Sequence, residues 1–428
     1  MVCGFQYESK SDAANAVDIP LEIKYNSFMR YWYAVDVVGE FIFCSDGEIK
    51  NGRQNMKKVI SSVVNFPNGC ETVRFTACLV SMLMRADGLT DLDCDFFCGK
   101  QKGNCIKCGQ CQDLIPLERK HEELYNLYTA VTGFGFLQMD LSCDDHIQTD
   151  WNQTCNVMLR EFDWYIGFAI DFAGYDYQEL IFPDDNKSTV FAQIKTSIDR
   201  DVPVLALFGR LYQWVLVTGY DDDGVLYGLD GSQGYWGNPT AQPAGYDENG
   251  LFIMPDWYEK AGHAFLLGAK KPPSITMQEV FARGIRIMEA MATKKYYSNS
   301  VDFMLNDANF ENLTDAELLV MRDRIAGWIG QPIDQRAMLG SAMNPLRFGE
   351  QPSKEIIAMN EVNRLCWTIH DVLWIAWRGI GEYMGGDPLD WARGLKNKAI
   401  RRMIADCFAF VRDHDEYMLE ALRNGYNK

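Results

Sequence analysis

Cysteines at two places in the sequence have a setting that suits a chemical site, and the first of these is Cys70. This residue precedes a segment, 73–84, in which the apolar side chains keep a helical spacing. A cysteine at a helix start lies near unpaired backbone N–H groups and the positive end of the helix dipole, which stabilise a thiolate. The pattern therefore predicts a nucleophilic thiol, provided that a base lies close to it.

The second group has the spacing C-x6-C-x2-C-x2-C and consists of Cys98, Cys105, Cys108 and Cys111. Cys-x2-Cys pairs let two thiolates reach one ion, as tetrahedral zinc requires at about 2.3 Å per Zn–S bond. Three cysteines at this spacing are also typical of iron–sulfur ligation. No second pair follows downstream, so two interpretations stay open: a zinc or iron–sulfur site, and a turn-rich loop of reduced cysteines.

Composition and charge argue against several partners and locations. The chain has 428 residues and a net charge of −18, and a negative field repels phosphate backbones, so we expect no nucleic-acid partner. The N-terminal segment lacks a basic region followed by an apolar one, and no apolar run reaches about 18 residues. We therefore predict a cytoplasmic protein without membrane contact, whose 13 cysteines are thiols or metal ligands rather than disulfides.

Alternating helices and strands are expected to position Cys70. The periodicity predicts helices over 118–131 and 191–200, and strands over 201–207, 214–220, 225–229 and 264–269. The Asp-Asp-Asp-Gly run at 221–224 predicts a hairpin turn, because it lacks the alternating oxygens and distal glutamate of a calcium loop. Lys-Lys-Pro-Pro at 270–273 marks a domain boundary. We predict a leader over 1–20, an α/β domain over 21–271 and a helical bundle over 274–428.

Three stretches together resemble a known superfamily. Residues 198–230 read IDRDVPVLALFGRLYQWVLVTGYDDDGVLYGLD, residues 69–72 read GCET, and residues 265–271 read FLLGAKK. The pattern is similar to bacterial papain-like proteins of the double-glycine leader peptidase type and, more closely, to butirosin-biosynthesis acyltransferase-like proteins. The resemblance implies an α+β, papain-like domain with an antiparallel sheet packed on the helix that presents the cysteine, followed by an all-α helical domain.

The resemblance also implies roles for individual residues. Cys70 would be the nucleophile, and Asp230 would orient the imidazole of a base. The position at which the peptidases carry that histidine is Gln213 here, and an amide cannot accept and return a proton near neutral pH. Gln213 is then expected to join backbone amides in an oxyanion hole. The base must come from elsewhere, and the two candidates are His263, before the last strand, and His370, in the helical domain.

Aromatic residues are the remaining candidates for a binding surface. Tyr235, Trp236 and Trp214 are expected to line a cleft beside Asp230, with plain loop packing as the alternative for the first two. The tryptophans of the helical domain are expected in its core because they cover two faces of one helix; they are Trp367, Trp374 and Trp377.

The sequence leaves two functions open. The first is a papain-fold, thiol-dependent acyltransferase or amide hydrolase acting on a small acyl or peptide substrate, either free or delivered by an acyl carrier protein. The thiolate of a thioester leaves easily, so attack on a thioester needs only a weak base. This favours acyl transfer over proteolysis. The alternative is a non-catalytic ligand-binding protein that has lost the catalytic histidine. Because function depends on the site rather than on the fold, the position of the imidazoles decides between them.

Overall fold

The computed structural model describes residues 56–61, 63, 73–89, 116–141, 165–182, 184–208, 213–230, 243–260, 262–343, 353–381 and 384–426. All of them belong to one of the two compact units of the chain, Glu48–Lys428. Several predictions fall outside the described residues: the leader, the nucleophile Cys70, the cleft residues Tyr235 and Trp236, and the cysteines Cys98, Cys105, Cys108 and Cys111.

An antiparallel sheet of eight strands organises the first half of the described chain. The strands are β1 (Lys57–Val59), β2 (Tyr175–Phe182), β3 (Val204–Phe208), β4 (Gln213–Asp221), β5 (Leu226–Leu229), β6 (Gly245–Tyr246), β7 (Phe252–Met254) and β8 (Gly262–Lys270). Their order across the sheet is β2-β8-β3-β4-β5-β7-β6, and β1 pairs with β4. Every neighbouring pair is antiparallel, which confirms the predicted antiparallel sheet.

The two faces of the sheet are covered by different helices. Side chains alternate along β4, so Trp214 and Leu216 share one face while Val215 and Val217 share the other. Three helices, α1 (Arg74–Ala86), α2 (Pro116–Thr132) and α3 (Tyr165–Ala173), contribute to the hydrophobic cluster on the first face, and α4 (Lys187–Asp199) contributes to the second. The first face is called the α1 face below.

The hairpin between β4 and β5 forms as predicted. Oδ1 of Asp221 accepts hydrogen bonds from the backbone N–H groups of Asp223 and Val225, each at 3.0 Å. Gly224 takes a φ of 83°, in the left-handed region that glycine adopts without a steric penalty. The acidic side chain therefore closes the turn through its own backbone neighbours.

The second half of the chain is helical, as predicted: the described residues from 271 onward contain no strand. Its helices are α5 (Met277–Thr293), α6 (Tyr296–Leu305), α7 (Asp315–Ala342), α8 (Lys354–Gly379), α9 (Pro388–Gly394) and α10 (Lys398–Tyr426). Capping boxes start two of them, with Thr276 paired to Glu279 and Thr314 paired to Glu317. Each box satisfies backbone N–H groups that a helix start leaves without partners.

One hydrophobic cluster joins the sheet to the helices. It contains Phe75 of α1 and Leu207 of β3 together with Val280 of α5 and Leu339 of α7. The Pro272–Pro273 pair connects β8 to α5 within a unit whose core continues on both sides. Across the described part of the chain, no helix combines the length and apolar character needed to cross a bilayer.

Candidate active site

A row of four side chains crosses the sheet at the end where β8 begins. Ile181 of β2 pairs with His263 of β8, His263 pairs with Leu207 of β3, and Leu207 pairs with Trp214 of β4. Directly paired residues project to the same face of a sheet, and both Leu207 and Trp214 belong to the cluster under α1. His263 therefore lies on the α1 face, two strands away from Trp214.

Helix α1 runs antiparallel to β3, with its N-terminus directed toward the His263 end of the sheet. In the first turn of α1, the ring centroid of Phe75 lies 4.9 Å from that of Trp214. At the opposite end, Arg85 lies 3.6 Å from Asp201, which shortly precedes β3. Because neighbouring strands are about 4.8 Å apart, two strand steps place His263 about 10 Å from Trp214.

His263 is held by a carboxylate on the neighbouring strand. Its Nδ1 lies 2.6 Å from Oε1 of Glu179, and the two side chains are 29% and 28% exposed. The ring lies nearly parallel to that of Phe265, with centroids 6.3 Å apart. A carboxylate only accepts hydrogen bonds, so Nδ1 carries a proton and the neutral ring keeps its lone pair on Nε2. With Nδ1 bonded to Glu179, Nε2 is the ring nitrogen that can accept a proton.

His370, the second candidate base, has both ring nitrogens engaged. Its Nδ1 lies 2.9 Å from Oδ1 of Asp371, and its Nε2 accepts a hydrogen bond of 2.9 Å from the indole N–H of Trp374. Burial lowers the pKa of His370 below its ordinary value of 6.5. A nitrogen that already accepts an indole N–H cannot take a thiol proton without breaking that bond, so the geometry favours His263.

The other histidines are placed less favourably. His121 is fully buried, and its Nε2 lies 2.9 Å from Oγ of Ser81 on α1. His414 lies on α10, where its Nδ1 is 2.9 Å from the carbonyl oxygen of Phe410. His146 lies outside the described residues.

The residues assigned to the site by the resemblance are only partly brought together. Asp230 follows β5, is 4% exposed, and accepts a hydrogen bond from the hydroxyl of Tyr246, which packs against the cluster on the α4 face. Gln213 is the first residue of β4, and its side chain is not among those described. Trp214 is 1% exposed and packs in the core against Phe75 rather than lining an open cleft.

Two surface cavities lie in the helical half. A groove of about 510 Å³ between α8 and α10 is lined by Val372, Met403 and Phe410, among others. A cleft of about 470 Å³ is lined by residues such as Met277 and Tyr426. No residue of the sheet lines either cavity, so neither belongs to the His263 site.

The helical tryptophans differ in burial, and the metal prediction is not tested by the described residues. Trp377 is 6% exposed and belongs to the core, whereas Trp367 is 38% exposed and reaches the surface. Within the described residues, no three side chains of His, Cys, Asp or Glu come together as an ion would require. The metal site proposed for residues 98–111 thus stays a prediction.

Glu179 is the site residue that the sequence did not reveal. Its strand reads YDYQELIF and is followed by Pro-Asp-Asp-Asn, so an aromatic run ending in turn residues was a usable strand signal. Nothing local pairs position 179 with position 263, because the two are 84 residues apart in the chain. The pairing appears only once β2 and β8 are neighbours in the sheet.

Comparison with known proteins assigns no family to this chain. No protein-family model, no curated protein and no solved structure matches the chain. The chemical roles of the site therefore follow from the groups it contains and the distances they keep.

Proposed function

We propose that this protein is a thiol-dependent acyltransferase or amide hydrolase of papain-like fold, with Cys70 as nucleophile and His263 as base. The observation that carries the proposal is the position of His263: it lies on the α1 face, at the sheet end toward which α1 directs its N-terminus. An antiparallel sheet covered by a helix that a cysteine precedes supports the papain-like assignment. Gln213 then needs no proton-transfer role, because the imidazole comes from β8.

The chain between Cys70 and α1 is short, which limits how far the thiol can lie from the start of the helix. Cys70 precedes Val73 by three residues, and the backbone N–H of Val73 donates a hydrogen bond of 2.9 Å to the hydroxyl of Tyr125. Three residues of extended chain span at most about 10 Å, so the Cα atom of Cys70 lies within about 10 Å of that of Val73. The proposal requires the sulfur to use this reach toward Nε2 of His263.

The reaction divides into two acyl-transfer steps. Nε2 of His263 takes the thiol proton while the Cys70 sulfur attacks the acyl carbon, and the bond to the leaving thiol or amine breaks as His263 returns the proton. The acyl group on Cys70 then passes to water or to an acceptor amine, which His263 deprotonates in turn. Backbone amides near Cys70 would hold the negative oxygen.

The substrate is a small acyl compound or a peptide, either free or presented by an acyl carrier protein. The His263–Glu179 pair is more than a quarter exposed, which gives such a substrate access to the base. Proton transfer and nucleophilic attack need only side chains of this protein, so the scheme requires no cofactor.

The experimental test measures the rate at which iodoacetamide alkylates Cys70 at a series of pH values. The reaction is followed on the Cys70 peptide by mass spectrometry. A thiol without a partner titrates near pH ~8.5 and is almost entirely protonated at pH 6. We expect wild-type Cys70 to react rapidly at pH 6, and His263→Ala to slow that reaction by at least ~10-fold. His370→Ala is the matched control and should leave the rate unchanged.

The same measurement distinguishes the alternative function. If wild-type Cys70 reacts at every pH like an unperturbed thiol, the proposed chemistry is wrong and a ligand-binding role without catalysis is favoured. If His370→Ala slows alkylation and His263→Ala does not, the base has been assigned to the wrong residue.

A further inference from the structure

We infer that Glu179 is the positioning residue of this site, holding the His263 ring so that Nε2 is the nitrogen available to the thiol. This role is the one that the family resemblance implies for Asp230. The inference rests on the proposed function for its catalytic consequence, while the Glu179–His263 contact is a property of the sheet.

The two carboxylates have different partners. Glu179 lies 2.6 Å from Nδ1 of His263, and it shares a face with Ile181, the residue directly paired with His263. Asp230 is 4% exposed and accepts a hydrogen bond from Tyr246, whose ring packs on the α4 face. Asp230 is therefore engaged with a partner on the opposite side of the sheet from the base.

The contact with Glu179 determines which ring nitrogen can accept a proton. With an anionic acceptor at Nδ1, the neutral imidazole keeps its proton there and its lone pair on Nε2. Without that acceptor, the proton can move to Nε2, and the ring can no longer take a thiol proton at that nitrogen. Loss of the orienting carboxylate in a serine triad lowers turnover by about 10⁴-fold for this reason.

Among the described side chains around His263, Glu179 is the one that offers its ring a hydrogen bond. Phe265 lies parallel to the ring, and Leu207 and Ile181 are paired with His263 on its two sides. These neighbours are apolar and offer no hydrogen bond. The ring orientation therefore depends on Glu179 more than on any other described side chain.

The first arm of the test compares three variants in the alkylation assay at pH 6. Glu179→Leu removes the acceptor and is expected to slow alkylation of Cys70 by at least ~10-fold. Glu179→Gln keeps an acceptor oxygen but removes the charge, so it should give a smaller loss. Glu259→Leu is the matched control, because Glu259 is an exposed glutamate that pairs with Lys187 at 2.9 Å, and it should leave the rate unchanged.

The second arm reads the ring directly and does not depend on the thiol. In protein labelled with ¹⁵N-histidine, only five histidines need assignment, and the ring nitrogen shifts report which nitrogen carries the proton. Neutral His263 should show a protonated Nδ1 and a bare Nε2 in the wild type. Glu179→Leu should abolish that preference, and Glu179→Gln should retain part of it.

The two arms separate the failure of this inference from the failure of the proposed function. If Glu179→Leu leaves the proton on Nδ1, or if Asp230→Asn slows alkylation more than Glu179→Leu does, Glu179 is not the positioning residue. If the tautomer changes as expected but wild-type Cys70 reacts slowly at every pH, Glu179 still positions the ring, and the thiol chemistry is what fails.

Discussion

Two pairs of an acidic and a basic side chain lie in different regions of the molecule, and they differ mainly in burial. At the end of the sheet, His263 and Glu179 approach to 2.6 Å with side chains 29% and 28% exposed. Between α7 and α10, Arg336 and Asp415 approach to 2.8 Å with side chains 0% and 1% exposed. The distances are similar, but only the first pair has access to solvent, and proton exchange with a substrate requires that access.

The buried pair is part of a polar cluster that connects segments. Arg336 also donates hydrogen bonds to the carbonyl oxygens of Gly135 and Leu137, and Asp415 accepts one of 3.2 Å from the side-chain amide of Gln138. The segment after α2 is thereby fixed between two long helices of the second half. Buried charges of this kind are destabilising unless they are paired, so separating these three segments would leave a buried charge without its partner.

Burial, rather than contact distance, separates a structural ion pair from an acid–base pair that can exchange a proton. A partly exposed pair contributes little to stability, so its value lies in the ring orientation that it imposes. A fully buried pair affects stability mainly because breaking it leaves an uncompensated charge in the interior. Removing one partner should therefore lower the stability of the protein at the buried pair, but at the partly exposed pair it should change reactivity with little loss of stability.

The largest effect is expected from Asp415→Asn. This change keeps the shape of the side chain but leaves the guanidinium of Arg336 buried without a counter-charge, which costs ~3–5 kcal/mol in comparable pairs. Equilibrium unfolding in urea measures the change in the free energy of unfolding. A loss below about 1 kcal/mol would show that the cluster is solvated, and the contrast between the two regions would disappear.

A double variant is the control for this prediction. Arg336→Met combined with Asp415→Leu removes both charges and fills similar volumes, and such replacements are often neutral or stabilising. We expect the double variant to recover most of the stability that Asp415→Asn loses. If it is as unstable as the single variant, packing rather than the unpaired charge explains the loss.

His370 provides an intermediate case, since its side chain is 19% exposed. Burial lowers its pKa from the ordinary value of 6.5, and the unprotonated Nε2 accepts the indole N–H of Trp374. As the pH falls through 6.5, the unfolded chain binds a proton that the folded chain excludes, so the free energy of unfolding decreases. This contribution is fully present above pH 6.5, and its loss is at most about 1.4 kcal/mol per pH unit below it.

The measurement for His370 is a difference of differences. Unfolding of the wild type and of His370→Gln is compared at pH 7.5 and pH 5.5, so that the carboxylates, which titrate in both proteins, cancel. We expect the wild type to lose more stability than the variant between these two pH values. Equal losses would mean that His370 accepts its proton in the folded protein as readily as in the unfolded chain.

Much of the fold was readable from the sequence because the signals were local. A helical bundle is predicted for residues 274–428, and the structure places its longest helices at Asp315–Ala342 and Lys398–Tyr426. The Asp-Asp-Asp-Gly turn was predicted from its own four residues. The α+β class with an antiparallel sheet followed from the resemblance and is confirmed in the described residues.

The site was less readable because it depends on which strands are neighbours. The sequence indicates His263 as a candidate base because it precedes the last strand, but it gives no signal for a role of Glu179. Their contact exists because β2 lies at the edge of the sheet beside β8, and no local pattern encodes that order. The shared core of sheet and helices is equally non-local, since it joins α1 to α5 and α7.

The smallest effect on stability is expected at the candidate site itself. His263→Gln keeps a polar side chain at the position, and a partly exposed pair is worth only about 0–1 kcal/mol even when both groups are charged, so the free energy of unfolding should change by less than ~1 kcal/mol. The same substitution should slow Cys70 alkylation at pH 6 as strongly as His263→Ala, since an amide cannot act as the base. Urea unfolding and the alkylation rate are measured on the same preparation. If the variant instead loses stability on the scale expected for Asp415→Asn, the His263–Glu179 pair is a structural element of the sheet, and the contrast between the two regions does not hold.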